Sequence, residues 1–136
     1  MRFAAAFIQE STDYGLTMRQ QQLCIERAAH KLGWHLCAEM VEPAGTENAA
    51  LSLRGGIQDL LADARVRAYD VLLVLDANHL HCSEEDLQGL IAALGREDIH
   101  IFGVRDGYWI EPYGRRWMLL PGFEMYGAGY EVESYA

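Results

Sequence analysis

Asp70-Val71-Leu72-Leu73-Val74-Leu75-Asp76 is an unbroken run of valine and leucine closed at each end by an aspartate. A strand covered on one face alternates apolar with polar residues, whereas one covered on both faces is apolar throughout; this run therefore predicts a central strand of a parallel sheet. Such a strand needs helices on either side of it in the chain. Before it, Ile57, Leu60, Leu61 and Ala64 recur at spacings of three and four, the stripe of an amphipathic helix. After it, Ser83 is placed to cap a helix whose first turn is acidic (Glu84, Glu85, Asp86) and whose apolar face is Leu87, Leu90, Ile91 and Leu94, with Gly95 as its stop. Farther out, Phe3 to Ile8 predicts a buried first strand. Thr17 and Gln20 have capping-box spacing ahead of Ile25, Ala28, Ala29 and Leu32, and Gly33 ends that helix. His35 to Val41 predicts a second strand, Pro43 to Asn48 a loop, and His100 to Val104 a fourth strand. Strands alternating with helices imply right-handed crossovers. Residues 1–104 are thus expected to form an α/β domain: three layers, doubly wound, with a mostly parallel sheet of four to five strands in flavodoxin-like order.

The totals agree with one domain. At 136 residues and 51% hydrophobic composition the chain can bury a core without disulfides or metal. Twenty acidic residues against eleven basic ones leave a net charge of −9, a field that repels nucleic acid, so direct DNA binding is disfavoured. Three widely spaced cysteines, Cys24, Cys37 and Cys82, suit a reduced, cytoplasmic protein. No apolar run has the length of a membrane span, and the N-terminal stretch lacks signal-peptide features, so it is expected to belong to the fold. After Val104 the composition changes. Tyr108, Trp109, Tyr113, Trp117, Phe123, Tyr126, Tyr130 and Tyr135 crowd into residues 105–136 with Pro112 and Pro121. Gly114 to Leu120 starts like a helix but meets Pro121, so a short interrupted helix packed on the same domain is expected. Two uses of this tail stay open: the aromatic core of an interface with a second copy or another protein, or an extra strand covering the sheet's own edge. Arg115-Arg116 is too short a basic run to point to nucleic acid.

In doubly wound sheets, chemistry collects beyond the carboxyl ends of the strands where the winding reverses, here between the first and third strands. The loops that fall there are Gln9-Glu10-Ser11-Thr12-Asp13 and Asp76-Ala77-Asn78-His79-Leu80-His81-Cys82. Neither has the glycines of a phosphate cradle, and no cofactor is expected. Asp76, His79, His81 and Cys82 are of metal-ligand type, and His-x-His would set both imidazoles on one face of an extended segment; the spacing matches no zinc signature, and Leu80 is expected to anchor the loop in the core. Cys82 reads either as a thiol activated by the following helix N-terminus or as a buried, inert one.

Taken in order, these landmarks resemble the catalytic domain of serine recombinases of the resolvase and invertase type. Phe7-Ile8-Gln9-Glu10-Ser11-Thr12 is similar to the family's first motif, which carries the serine that attacks DNA phosphate; Gly15-Leu16-Thr17 with Gln21, then Gly33-Trp34, resemble the next. Arg54 before Gly55 resembles the arginine opening the second helix, and Asn78-His79-Leu80-His81-Cys82 falls where the family has an acidic residue and two arginines. The resemblance implies that Ser11 is the counterpart of the nucleophile and that Gln21 and Arg54 are retained site residues. It also implies degenerate positions at Gln9, Asn78, His79 and Cys82. In such chemistry guanidiniums hold the phosphate and stabilise the charge of the transition state. With three of them absent, the expectation is a pseudoenzyme acting as an interaction or regulatory module. Set against the family pattern, the sequence is expected to lack the family's DNA-binding region. Two alternatives stand beside it: a small active recombinase or nicking enzyme using Ser11, and a metal- or anion-binding domain at Asp76 to Cys82, with Arg54 as an anion ligand or else in a surface salt bridge.

Overall fold

The structure, a computed structural model, describes residues 2–10, 15–45, 49–50, 53–80, 82–105 and 107–111, together with the backbone of 115–119 and 129–133. Strands β1 (Phe3–Gln9), β2 (His35–Glu42), β3 (Val71–Val74) and β4 (His100–Gly103) alternate with helices α1 (Met18–Leu32), α2 (Gly55–Arg65) and α3 (Glu84–Gly95). The sheet order begins β2-β1-β3-β4, and all three of these pairings are parallel, so the winding reverses between β1 and β3. The expected α/β doubly wound class is observed.

Period-two alternation divides the core into two faces. Ala4, Ala6 and Ile8 of β1, with Val71, Leu73 and Leu75, face Ile25, Ala29 and Leu32 of α1. Ala5, Phe7, Leu72 and Val74 turn the other way, onto Ile57, Leu60 and Ala64 of α2 and Leu87, Leu90, Ile91 and Leu94 of α3. A strand between two such layers has no solvent side, which is why Val71 to Leu75 contains no polar residue.

Local signals set the helix ends. Thr17 and Gln20 form the capping box: the Gln20 N–H donates to Thr17 Oγ1 at 3.1 Å and the Thr17 N–H to Gln20 Oε1 at 2.8 Å. Gly33 takes the left-handed conformation, φ 73°, that closes α1. Ser83 caps α3 by accepting from the Asp86 N–H. α3 ends at Gly95 as expected, but the left-handed residue that follows is Asp98, φ 59°. Asp is among the few side chains that tolerate that region.

Gly56 marks a close approach. A Cβ built on it would lie 3.1 Å from Cα and 3.2 Å from N of Glu42, whereas one on Gly55 meets nothing within 4 Å. Backbone cannot swing aside as a long side chain can, so Gly56→Ala is expected to destabilise by about 1–3 kcal/mol, with Gly55→Ala close to wild type. Chemical denaturation of both variants tests this, and a Gly56→Ala protein as stable as wild type would contradict the packing.

The tail departs from expectation. β5 (Tyr108–Ile110) runs antiparallel to β4, and β6 (Arg115–Leu119) and β7 (Gly129–Glu133) continue the same sheet as antiparallel neighbours. Arg115 to Leu119 is therefore strand, not the start of an interrupted helix. Pairing with β5 and β7 satisfies its backbone groups across the sheet, a non-local choice that five residues without periodicity do not reveal. Of the two uses considered for the tail, β5 takes the self-covering one: Trp109 packs at 5.1 Å between ring centroids on Phe102 and at 5.6 Å on Trp34. Tyr113, Phe123, Tyr126, Tyr135 and both tail prolines lie outside the described residues, as do the side chains of Trp117 and Tyr130. Among the described residues no helix is long and apolar enough to cross a membrane.

Candidate functional site

β1, β2 and β3 end at the same edge of the sheet, and the carboxyl ends of β1 and β3 flank the switch point. Gln9 closes β1, Glu42 closes β2, and Leu75 with Asp76 leads from β3 into a single 3-10 turn, Ala77–Leu80. Gln21 arrives from the first turns of α1 and Arg54 from the N-cap of α2. Gln9, Gln21, Glu42, Arg54 and His79 are all buried. Five polar side chains removed from water must answer one another.

They form two linked sets. In the first, the Gln21 amide clamps the backbone of Gln9: the Gln9 N–H donates to Oε1 at 2.8 Å, and Nε2 donates back to the Gln9 carbonyl at 2.8 Å. Gln21 Nε2 also reaches the Leu16 carbonyl at 3.2 Å. The same Oε1 lies 2.8 Å from Nε2 of His79, while Nδ1 of that ring accepts the Leu75 N–H at 3.0 Å. An amide N–H can only donate, so Nδ1 carries its lone pair and the proton sits on Nε2, donated to Gln21. His79 is therefore a neutral imidazole with both nitrogens engaged. The Gln9 side chain completes the set by donating from Nε2 to the His79 carbonyl at 3.1 Å, and among the described residues its buried Oε1 has no hydrogen-bond partner. Phe7 packs edge-on against the imidazole at 5.4 Å between centroids.

The second set is ionic. Arg54 Nε donates to Glu42 Oε2 at 2.8 Å, with both side chains fully buried. Arg54 Nη1 donates to the Leu80 carbonyl at 2.7 Å, and Glu42 Oε1 accepts the Gly56 N–H at 3.1 Å. The guanidinium thus ties the end of β2, the start of α2 and the 3-10 turn into one unit. Of the readings considered for Arg54, a surface salt bridge is overturned: the bridge exists, but inside the protein.

Around these sets the turn after β3 is held by Asp76, whose Oδ1 accepts the N–H groups of Asn78 at 2.9 Å and His79 at 3.2 Å, and whose Oδ2 lies 3.9 Å from Arg105 Nη1. Asn78 is exposed. Ala77–Leu80 is helical rather than extended, and His79 is engaged on both ring nitrogens within the network. Leu80 is fully buried and does anchor the loop. Among the described residues no three His, Cys, Asp or Glu side chains are grouped to hold a metal ion. Cys82 is half-buried against the α2–α3 side of the core. Burial pushes its thiol up, against the opposing pull of the Arg54 guanidinium, so it is not the activated thiol considered for a helix N-terminus. Ser11 and His81 lie outside the described residues.

The structure therefore brings together Gln9, Gln21, His79 and Arg54, with Cys82 close enough to Arg54 to feel its charge. Sequence reasoning missed Glu42 and Arg105. A carboxylate ending β2 just before Pro43 was a signal for Glu42, but nothing local ties it to Arg54, twelve residues on.

The chain matches the family model described as Resolvase, N terminal domain, over residues 8–124. No curated protein matches it as a sequence relative. Among solved structures, the N-terminal catalytic domain of TP901-1 integrase is similar with TM-score 0.68 at 20% identity, over 76% of this chain and 77% of that one. A resolvase family site-specific recombinase from Streptococcus pneumoniae gives 0.66 at 12% identity, over 80% and 76%. The C-terminal catalytic domain of ISC1926 TnpA, an IS607-like serine recombinase, gives 0.63 at 17% identity, over 75% and 67%. At such identities the structural likeness speaks for the fold alone, and the family model supplies the rest. Matched over most of its length and carrying the β2-β1-β3-β4 parallel sheet with its switch-point residues, the chain belongs to the resolvase N-terminal domain family.

Proposed function

We propose that this protein is a non-cleaving member of its family, a cytoplasmic interaction module that pairs with a second copy or another protein through its C-terminal aromatic region. One observation carries the reading: at the switch point the polar side chains are turned inward and answer one another. Phosphoryl transfer to a serine needs fixed positive charge directed at the phosphate oxygens. Here Gln9 is neutral and donates to the His79 carbonyl, His79 is neutral with both nitrogens engaged, and Arg54 is joined to Glu42 and Leu80. A net charge of −9 adds a long-range field against DNA. The interaction role is supported by β7, the last strand of the sheet, whose outer backbone groups suit pairing with another chain. The cytoplasmic setting is supported by Cys24, Cys37 and Cys82, all free thiols.

Incubation with supercoiled plasmid, quenched in detergent, tests the reading against an active recombinase. Wild type and Ser11→Ala are expected to give the same background, with no nicked product and no protein covalently joined to DNA. A DNA adduct in wild type that Ser11→Ala abolishes would establish the enzyme instead. Zinc titration followed by thermal unfolding addresses the metal alternative: the expected result is an unchanged midpoint, and a saturable upward shift would reject it.

A further inference from the structure

At the opposite end of the sheet from the switch point, the α1 side carries a second organised cluster. Trp34 follows the left-handed Gly33 that closes α1, its N–H donating to the Ala29 carbonyl at 2.9 Å, so the indole is held at a fixed place by the helix end. Trp109 projects beside it from β5, with centroids 5.6 Å apart and planes tilted by 40°. Phe102 lies edge-on beneath both, at 5.3 Å from Trp34 and 5.1 Å from Trp109, and His100 meets Trp109 at 6.2 Å. Both indoles are only partly buried. The guanidinium of Arg2 sits over the pair, 5.3 Å from the Trp34 centroid and 5.0 Å from that of Trp109.

We infer that the Trp34–Trp109 pair is a recognition site for an arginine side chain of a partner polypeptide, occupied in the free protein by the chain's own Arg2. The inference rests on the interaction role proposed above and names the chemistry of the partner. Two indole faces present overlapping negative quadrupoles to one cation, and a planar guanidinium stacks on them. The seated Arg2 is a direct instance of the ligand class. Its backbone is fixed, the Arg2 carbonyl accepting the His35 N–H at 2.8 Å, so only the exposed side chain must swing away to free the site. The protein's charge of −9 draws a cationic segment toward it. Self-occupancy lowers apparent affinity by the fraction of molecules in which the site is open.

The test is an NMR and tryptophan-fluorescence titration with a short glycine-arginine peptide, compared with the same peptide carrying citrulline, its neutral isostere. Arg2→Ala is expected to bind the arginine peptide about fivefold or more tightly than wild type, given the strength of a guanidinium over two indoles. Arg2→Lys, which still supplies a cation, should stay near wild type, and the citrulline peptide should not bind. Trp109→Leu should abolish binding. If that variant does not fold, the Arg2 pair still decides the matter. Equal affinity of Arg2→Ala and wild type, or equal binding of the citrulline peptide, would overturn the inference. Either result leaves the plasmid assay untouched, so failure here is distinguishable from failure of the non-cleaving reading.

Discussion

Glu42→Leu is expected to cost about 3–5 kcal/mol of folding stability, since it leaves the Arg54 guanidinium buried without its anion. The carboxylate accepts from Arg54 Nε at 2.8 Å and from the Gly56 N–H at 3.1 Å, so one substitution removes the anchor of a charge and of a helix N-terminus together. Arg54→Met alone should be comparably damaging, stranding a buried carboxylate. The double variant Glu42→Leu/Arg54→Met removes both charges, and a buried pair replaced by apolar side chains of similar volume is often neutral. It should therefore recover most of the loss, giving a large coupling energy in a double-mutant cycle measured by urea denaturation. Two single variants each within about 1 kcal/mol of wild type would mean that water screens the pair, contrary to its full burial.

Gln21→Leu carries the second large effect. The leucine matches the glutamine in bulk but orphans the Gln9 N–H, the Gln9 carbonyl and the His79 Nε2 proton, all served by one amide. Each buried group left without a partner costs about 1–3 kcal/mol, so a loss on the order of 3 kcal/mol is expected after some relaxation. Gln21→Glu separates the donor from the acceptor role. It keeps an acceptor for the Gln9 N–H and His79 but has no N–H for the Gln9 and Leu16 carbonyls, so it should fall between wild type and Gln21→Leu. Thermal unfolding of the three proteins checks the order, and Gln21→Leu at wild-type stability would contradict the network.

Much of the scaffold was legible because its signals are local. Thr17 and Gln20 sit three residues apart and cap one another, Ser83 stands directly before an acidic turn, and the stripes of α1, α2 and α3 are set by a period of 3.6. Asp70 to Asp76 identified the central strand because burial on both faces leaves no room for a polar residue. The strands after Val104 were not legible. Arg115 to Leu119 owes its conformation to β5 and β7, neighbours that no window around it contains. Of the buried switch-point set, individual residues stood out in the sequence but their arrangement did not. Gln9, Gln21, Arg54 and His79 were each identified singly, yet whether a polar side chain faces solvent or another side chain is fixed by register and by the 3-10 turn after β3. Glu42 shows the cost of that gap: its tie to Arg54 emerges only once β2 and α2 are placed side by side.

The arrangement of the switch point is a neutral His79 engaged on both ring nitrogens beside an Arg54 whose charge is buried against Glu42. The protonation state of His79 tests it most directly, through long-range proton–nitrogen NMR of imidazole-labelled protein at neutral pH. The expected result is a neutral ring with its proton on Nε2 and an unprotonated, hydrogen-bonded Nδ1. A doubly protonated His79, or a ring protonated on Nδ1, would contradict it.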